Sequence, residues 1–143
     1  MALLFWYGQL LMLLKRHSRA LEVFRSVARA NPRHQQAWTC VAFLLAEREE
    51  FAAAIEAFER AIALQPADPR SHFNVAFLLQ RLGRHEEAIP RFERALEIDA
   101  KLDRAWYGLG LSLARLGRLA EYERIKGFDP KAAERIRIEF GVR

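Results

Sequence analysis

Apolar positions along the chain follow a helical rhythm, and the rhythm itself repeats. From residue 38 they fall at Trp38, Val41, Ala42, Leu45, Phe51, Ala54, Phe58 and Ala61, ending at Pro66. Three- and four-residue spacing of this kind predicts two amphipathic helices, divided here by the polar run Arg48-Glu49-Glu50. Thirty-four residues on, Ala54, Phe58 and Ala61 return as Ala88, Phe92 and Ala95. Thirty-four residues back, Ala54, Phe58 and Pro66 become Ala20, Phe24 and Pro32, and two periods after Trp38 stands Trp106. A fixed period of this length marks a stacked array of helix pairs.

The pattern places units at about 1–34, 35–68, 69–102 and 103–128, with a capping helix over about 130–140. In the first unit the second helix covers about 18–30 and stops at Asn31-Pro32, because the residue before a proline avoids the helical region. Asp68-Pro69 opens the third unit as a cap followed by a first-turn proline. Its turn, Leu82-Gly83-Arg84, recurs as Leu116-Gly117-Arg118. Pro90 falls inside a helix; placed near the start, it should cost less than the roughly 3 kcal/mol of an interior position. In the fourth unit the pattern fails: Tyr122 stands at the alanine position and Lys126 at the phenylalanine position. Gly127 is expected to end a short helix and Asp129-Pro130 to begin the last one. Terminal units of an array are atypical because they close the stack.

Residues 2–14 are apolar except for Gly8 and Gln9. A membrane span needs roughly 20 such residues, and this run ends at Lys15-Arg16-His17. No basic residues precede it and no small-residue cleavage site follows, so it does not read as a secretory signal. It reads as the first helix of the first unit, with Gly8 in register with Ala42, Ala76 and Gly110. A helix apolar all round is normally buried. Phe5, Trp6, Leu10 and Leu13 are therefore expected to associate with a second copy, another protein or a membrane, or to be covered by further chain; a homodimer or higher assembly is the favoured outcome.

Composition narrows the function without fixing it. The chain has 143 residues, 52% hydrophobic and 29% charged, enough to fold around a core. The net charge of +5 admits nucleic acid, a membrane surface or acidic peptides as partners, but no basic run stands out. Glu56 with Arg60 and Glu87 with Arg91 have the spacing of helical ion pairs. Cys40 is the single cysteine, so no internal disulfide can form; a cytoplasmic location follows naturally, although a disulfide-free periplasmic protein would look the same. There is no phosphate-binding loop, and the run 110–114 around Ser112 lacks the second glycine of a nucleophile elbow. His17, His34, His72 and His85 lie in different parts of the chain, so no metal, cofactor or enzymatic activity is expected.

The repeating residues resemble the tetratricopeptide repeat family. In the second unit its motif is met by Trp38, Val41, Ala42, Leu45, Ala54, Phe58, Ala61 and Pro66. The third unit matches with Val75, Ala76, Leu79, Ala88, Phe92 and Ala95, but has His72 for the tryptophan and Ala100 for the proline; the first matches with Gly8, Leu11, Ala20, Phe24 and Pro32. The resemblance covers about residues 1–119. It implies an all-α, right-handed α-α superhelix (solenoid) of about four helix-turn-helix units, in which the first helix of each pair lines a concave groove that binds peptides or partner segments. On this chain the groove residues would be Thr39, Phe43, Arg70, Phe73, Asn74, Phe77, Arg81, Arg104, Tyr107 and Leu111. Aromatic burial beside arginine forks suits a protein or peptide with acidic and apolar residues. Members that bind chaperone tails hold a terminal carboxylate with Lys and Asn at set positions. Asn74 and Arg104 fall on two of these, but Thr39 and Phe43 occupy others, so a full clamp is not expected. The leading expectation is a non-catalytic interaction module serving as an adaptor, chaperone-like factor or scaffold. A self-associating or membrane-tethered array comes second, and an RNA-binding helical repeat third.

Overall fold

The computed structural model describes residues 2–125 and 128–141, and among these the regular structure is entirely helical. The expectations for Lys126 and Gly127 lie outside the described residues. The helices are α1 (Ala2–Leu13), α2 (His17–Ala30), α3 (Gln35–Glu47), α4 (Phe51–Leu64), α5 (Pro69–Arg81), α6 (His85–Ile98), α7 (Asp103–Arg115), α8 (Leu119–Glu123) and α9 (Pro130–Phe140). They fall into two compact units, α1–α4 within residues 1–66 and α5–α9 from residue 67 onward.

One turn, used four times, joins the helices of each pair. Lys15, Glu49, Gly83 and Gly117, spaced at the period, all have left-handed backbones, with φ of 57°, 60°, 74° and 69°. The next residue donates its N–H back across the turn each time: Arg16 to Leu11, Glu50 to Leu45, Arg84 to Leu79 and Arg118 to Leu113. This closure satisfies carbonyls that a helix end leaves open.

In the first unit α1 and α2 approach so closely that a Cβ on Gly8 would lie 2.6 Å from the Phe24 ring. Ala20 and Ala54 are fully buried, as is Phe24, so the small residues mark crossings and the ring fills the wedge beside one. Phe5 packs on Phe24 and His34, with ring centroids 5.5 and 4.7 Å apart. The Trp38 indole donates to the Pro32 carbonyl at 2.9 Å, which ties the inter-pair loop to the helix after it. Arg60 sets its guanidinium over the Trp38 ring at 5.3 Å instead of serving as the expected partner of Glu56.

In the second unit Ala88 and Phe92 are again fully buried, and the Trp106 indole donates to the Ala100 carbonyl at 2.8 Å, as Trp38 does two periods earlier. Two local expectations give way. The Ala88 N–H already bonds the Arg84 carbonyl, so Pro90 lies beyond the unpaired first turn, at an exposed position. Glu87 is held in a fork by Arg84, at 2.5 and 2.7 Å, because the arginine stands at the cap of the same turn. The last two helices depart from the regular pair. α8 has five residues, with Tyr122 fully buried at the alanine position. Ile136 of α9 reaches the Gly110 surface, 2.4 Å from where a Cβ would be, as Phe24 does at Gly8.

Candidate functional site

Three helices of the second unit, α5, α7 and α9, wall a groove of about 550 Å³. Phe73, Phe77 and Gln80 come from α5; Asp103, Arg104, Tyr107, Gly108 and Leu111 from α7; Lys131, Ala132 and Arg135 from α9, with Asp129 at its cap and Phe92 of α6 as the floor. Gly108 lets the floor rise to the backbone: a Cβ there would sit 2.5 Å from the Phe92 ring.

Three of the groove's aromatic rings are in contact. Phe73 stacks on Phe77 at 6.2 Å and leans on Phe92 at 5.9 Å. Arginines cover two rings: Arg104 lies 5.0 Å above Phe73, and Arg135 lies 4.7 Å above Tyr107. The Tyr107 hydroxyl donates to Glu139 at 2.5 Å; that bond, then burial, raises the phenol above its ordinary pKa, with Arg135 opposing. Within α9, the Asp129 carboxylate accepts from the Lys131 N–H at 3.0 Å, as Asp68 does from Arg70 at the start of α5.

Polar groups close the far end. Gln80 Nε2 donates to the Gly108 carbonyl at 2.9 Å and to Ser112 Oγ at 2.8 Å, bridging α5 and α7. His85 Nδ1 lies 3.3 Å from the same hydroxyl, and burial, then Arg115, lowers its pKa. Ser112 is fully buried and engaged in this network, which makes it structural. In the first unit, burial pushes the Cys40 thiol up to about 11 against the Gln9 contact at 3.9 Å, so it stays protonated near neutrality.

The groove brings together Phe73, Phe77, Arg104, Tyr107 and Leu111 of the expected set. Arg70 and Arg81 are exposed and Asn74 half-buried, outside that lining. Thr39 lines a separate hollow of about 500 Å³ in the first unit, with Phe5, Trp6 and Gln9 among its walls. Its hydroxyl is bonded along its own helix to the Gln35 carbonyl. Phe43 is half exposed and meets Phe58 edge-on at 5.3 Å. Lys131 and Arg135 were not expected at the groove. Their signal was the Asp129-Pro130 start, which repeats Asp68-Pro69 and so marks a first-type helix.

Comparisons with known proteins bear on this arrangement. No curated protein matches the chain. Among solved structures it is similar to MamA, at 22% identity over 96% of this chain and 78% of that one, with a TM-score of 0.81. It is similar to YrrB, described as a tetratricopeptide repeat protein with an unusual peptide-binding site, at 19% identity, coverages of 98% and 77% and a TM-score of 0.78. The first tetratricopeptide domain of Spaghetti (RPAP3), bound to an HSP90 peptide, matches at 21% identity, coverages of 81% and 92% and a TM-score of 0.75. At these identities the likeness is one of fold. In sequence, two profiles of one family match, over residues 1–35 and 33–101. With the period, the shared turn and the buried Ala and Phe positions, these matches show that the chain belongs to the tetratricopeptide repeat family.

Proposed function

We propose that the chain is a non-catalytic interaction module that binds a peptide segment of a partner protein in the groove of its second unit. The observation that carries this is a concave site in which the exposed Phe77 ring lies beside Phe73 and Tyr107, two rings capped by arginines. An accessible ring in a concave site offers burial to a ligand, and the arginine forks orient it. Two proteins of similar fold are described by their peptides: the Spaghetti domain holds an HSP90 peptide, and YrrB has a peptide-binding site. Leu111→Arg, which places a long charged side chain in the groove, should abolish peptide binding by fluorescence anisotropy without changing helicity. Peptide binding unchanged in that variant would remove the groove from the mechanism.

A second surface supports self-association. Leu3, Trp6, Leu10 and Leu13 of α1 are exposed to 86%, 69%, 49% and 79%. Among the described residues no helix is long and apolar enough to cross a membrane. The RNA reading rests on net charge alone.

A further inference from the structure

We propose that a hollow between α6, α7 and α8 docks an arginine side chain presented by a basic segment of another protein. The hollow shares α7 with the groove but none of its lining residues.

The hollow holds about 310 Å³. Its floor is apolar: Leu96 of α6, Trp106 and Leu109 of α7, and Ile125 just after α8. Glu93 and Glu97 also line it, both exposed and one helical turn apart on α6, so they share a face. Among the described residues no cation lines it. The cations near these carboxylates hold them loosely or are engaged elsewhere. Arg94 bonds Glu97 at 3.1 Å, but as an exposed pair within one helix, which contributes little. Arg118 feels the charge of Glu93, while its guanidinium is forked on Glu121 at 2.5 and 3.3 Å.

The first unit shows what such a place takes. Trp38 stands two periods before Trp106, and each indole donates to the carbonyl six residues before it, Pro32 and Ala100. Over the Trp38 ring lies the guanidinium of Arg60, carried by α4. Two periods after Arg60 stands Phe128, whose ring packs edge-on against Tyr122 at 5.8 Å. α8, the counterpart of α4, has five residues where α4 has fourteen. The chain thus brings an arginine of its own to the first tryptophan, and among the described residues it brings none to the second. The charge beside the two tryptophans inverts in step: Glu93 and Glu97 stand where the first unit has Arg25 and Arg29. Two carboxylates so placed fork a guanidinium and repel an acidic ligand, while the aliphatic stem of the arginine lies along Leu96, Trp106 and Ile125. Tyr122 already meets the Trp106 ring edge-on at 6.2 Å, so the carboxylates hold the cation and the apolar floor holds the stem. Arginine suits the site better than lysine, because its planar fork reaches both carboxylates at once.

The test is a selection of random displayed peptides on the immobilised full chain, with counter-selection on the variant carrying Glu93→Gln and Glu97→Gln. Fluorescence anisotropy of the enriched sequences follows, at physiological ionic strength. Enriched peptides should carry an arginine beside apolar residues and a net positive charge. Their affinity should fall about tenfold in the double glutamine variant, the loss of one good charge contact, and be largely kept in Glu93→Asp with Glu97→Asp. Glu22→Gln with Glu56→Gln removes the same charge from exposed positions of the first unit and should change nothing. An equal loss in that variant would mean general attraction to the surface and would overturn the proposal. Enrichment of peptides without a cation, or of none, would overturn it too. So would enriched peptides that Leu111→Arg abolishes, because they would belong to the groove. If the double glutamine variant dissociates an assembly of the unmodified chain, the occupant is a second copy and the assignment to another protein fails. Both glutamates are exposed, so circular dichroism of each variant should match that of the unmodified chain.

Discussion

A left-handed residue at the turn has the same job at four places in this chain, but only two of them are glycine. Lys15 and Glu49 hold φ of 57° and 60° with a Cβ, where Gly83 and Gly117 have none. A left-handed backbone costs an L residue about 1–2 kcal/mol, and glycine removes most of that. Glu49→Gly should therefore stabilise the protein by about 1 kcal/mol, and Gly83→Ala should destabilise it by a similar amount. Nothing lies within 4 Å of a Cβ added at Gly83, so the effect is one of backbone alone. Thermal unfolding of the two variants checks the opposite signs; equal shifts in one direction would refute the account. The turn at Gly83 and Gly117 was legible in the sequence. Its counterparts at 15 and 49 were hidden because lysine and glutamate are ordinary surface residues that tolerate the strain.

His85 tests the polar end of the groove. Desolvation, then the nearby charge of Arg115, lowers its pKa below the ordinary value of about 6.5. The folded state thus prefers the neutral ring. The stability this contributes is present above about pH 6.5 and is lost as pH falls through the lowered native value. Proton NMR of the ring should give a midpoint below 6.5, and Arg115→Gln should move it upward. A midpoint at or above the ordinary value would contradict the geometry around Ser112.

At the scale of elements, α9 is the part of the fold that counting residues could not resolve. The helix pairs up to about residue 119 were readable because alanine and phenylalanine recur at a strict period. α9 breaks the period by starting at Pro130, so a fixed shift of 34 passes over it, although its start was legible in Asp129-Pro130. The groove was legible in the same measure. Phe73, Phe77, Arg104, Tyr107 and Leu111 share a face that the regular pattern defines, whereas Lys131 and Arg135 belong to the displaced register. Ile136 is the anchor of this element, fully buried over Gly110. Ile136→Ala should cost about 2–5 kcal/mol. The loss should appear first as faster amide exchange in α7–α9, with α1–α4 protected as before. Uniform loss of protection along the chain would mean that α9 is not a separable element of the second unit.

For the whole molecule, the decisive feature is how much apolar surface α1 leaves open. The period puts Gly8 and Leu11 inward, but nearly every position of this helix is apolar, so no polar face marks its outer side. The structure marks it. Phe5 turns toward Phe24 and His34, and Gly8 and Leu11 are buried, so Phe5 serves packing within the unit. Leu3, Trp6, Tyr7, Leu10, Leu13 and Leu14 stay exposed, and their three- and four-residue spacing puts them on one face. Single exposed apolar residues are ordinary, but a contiguous apolar stripe on a helix marks an interaction surface. A second copy offers a matching stripe, and two-fold pairing would cover both at once. Phe5 is therefore the wrong residue to change, since Phe5→Glu would damage the core of the first unit. Trp6→Glu with Leu13→Glu charges the open face and leaves the packed one intact. Sedimentation equilibrium should show a dimer or larger assembly for the unmodified chain and a monomer for the double variant, with equal helicity. A monomer for the unmodified chain across the micromolar range would end the idea of self-association through α1.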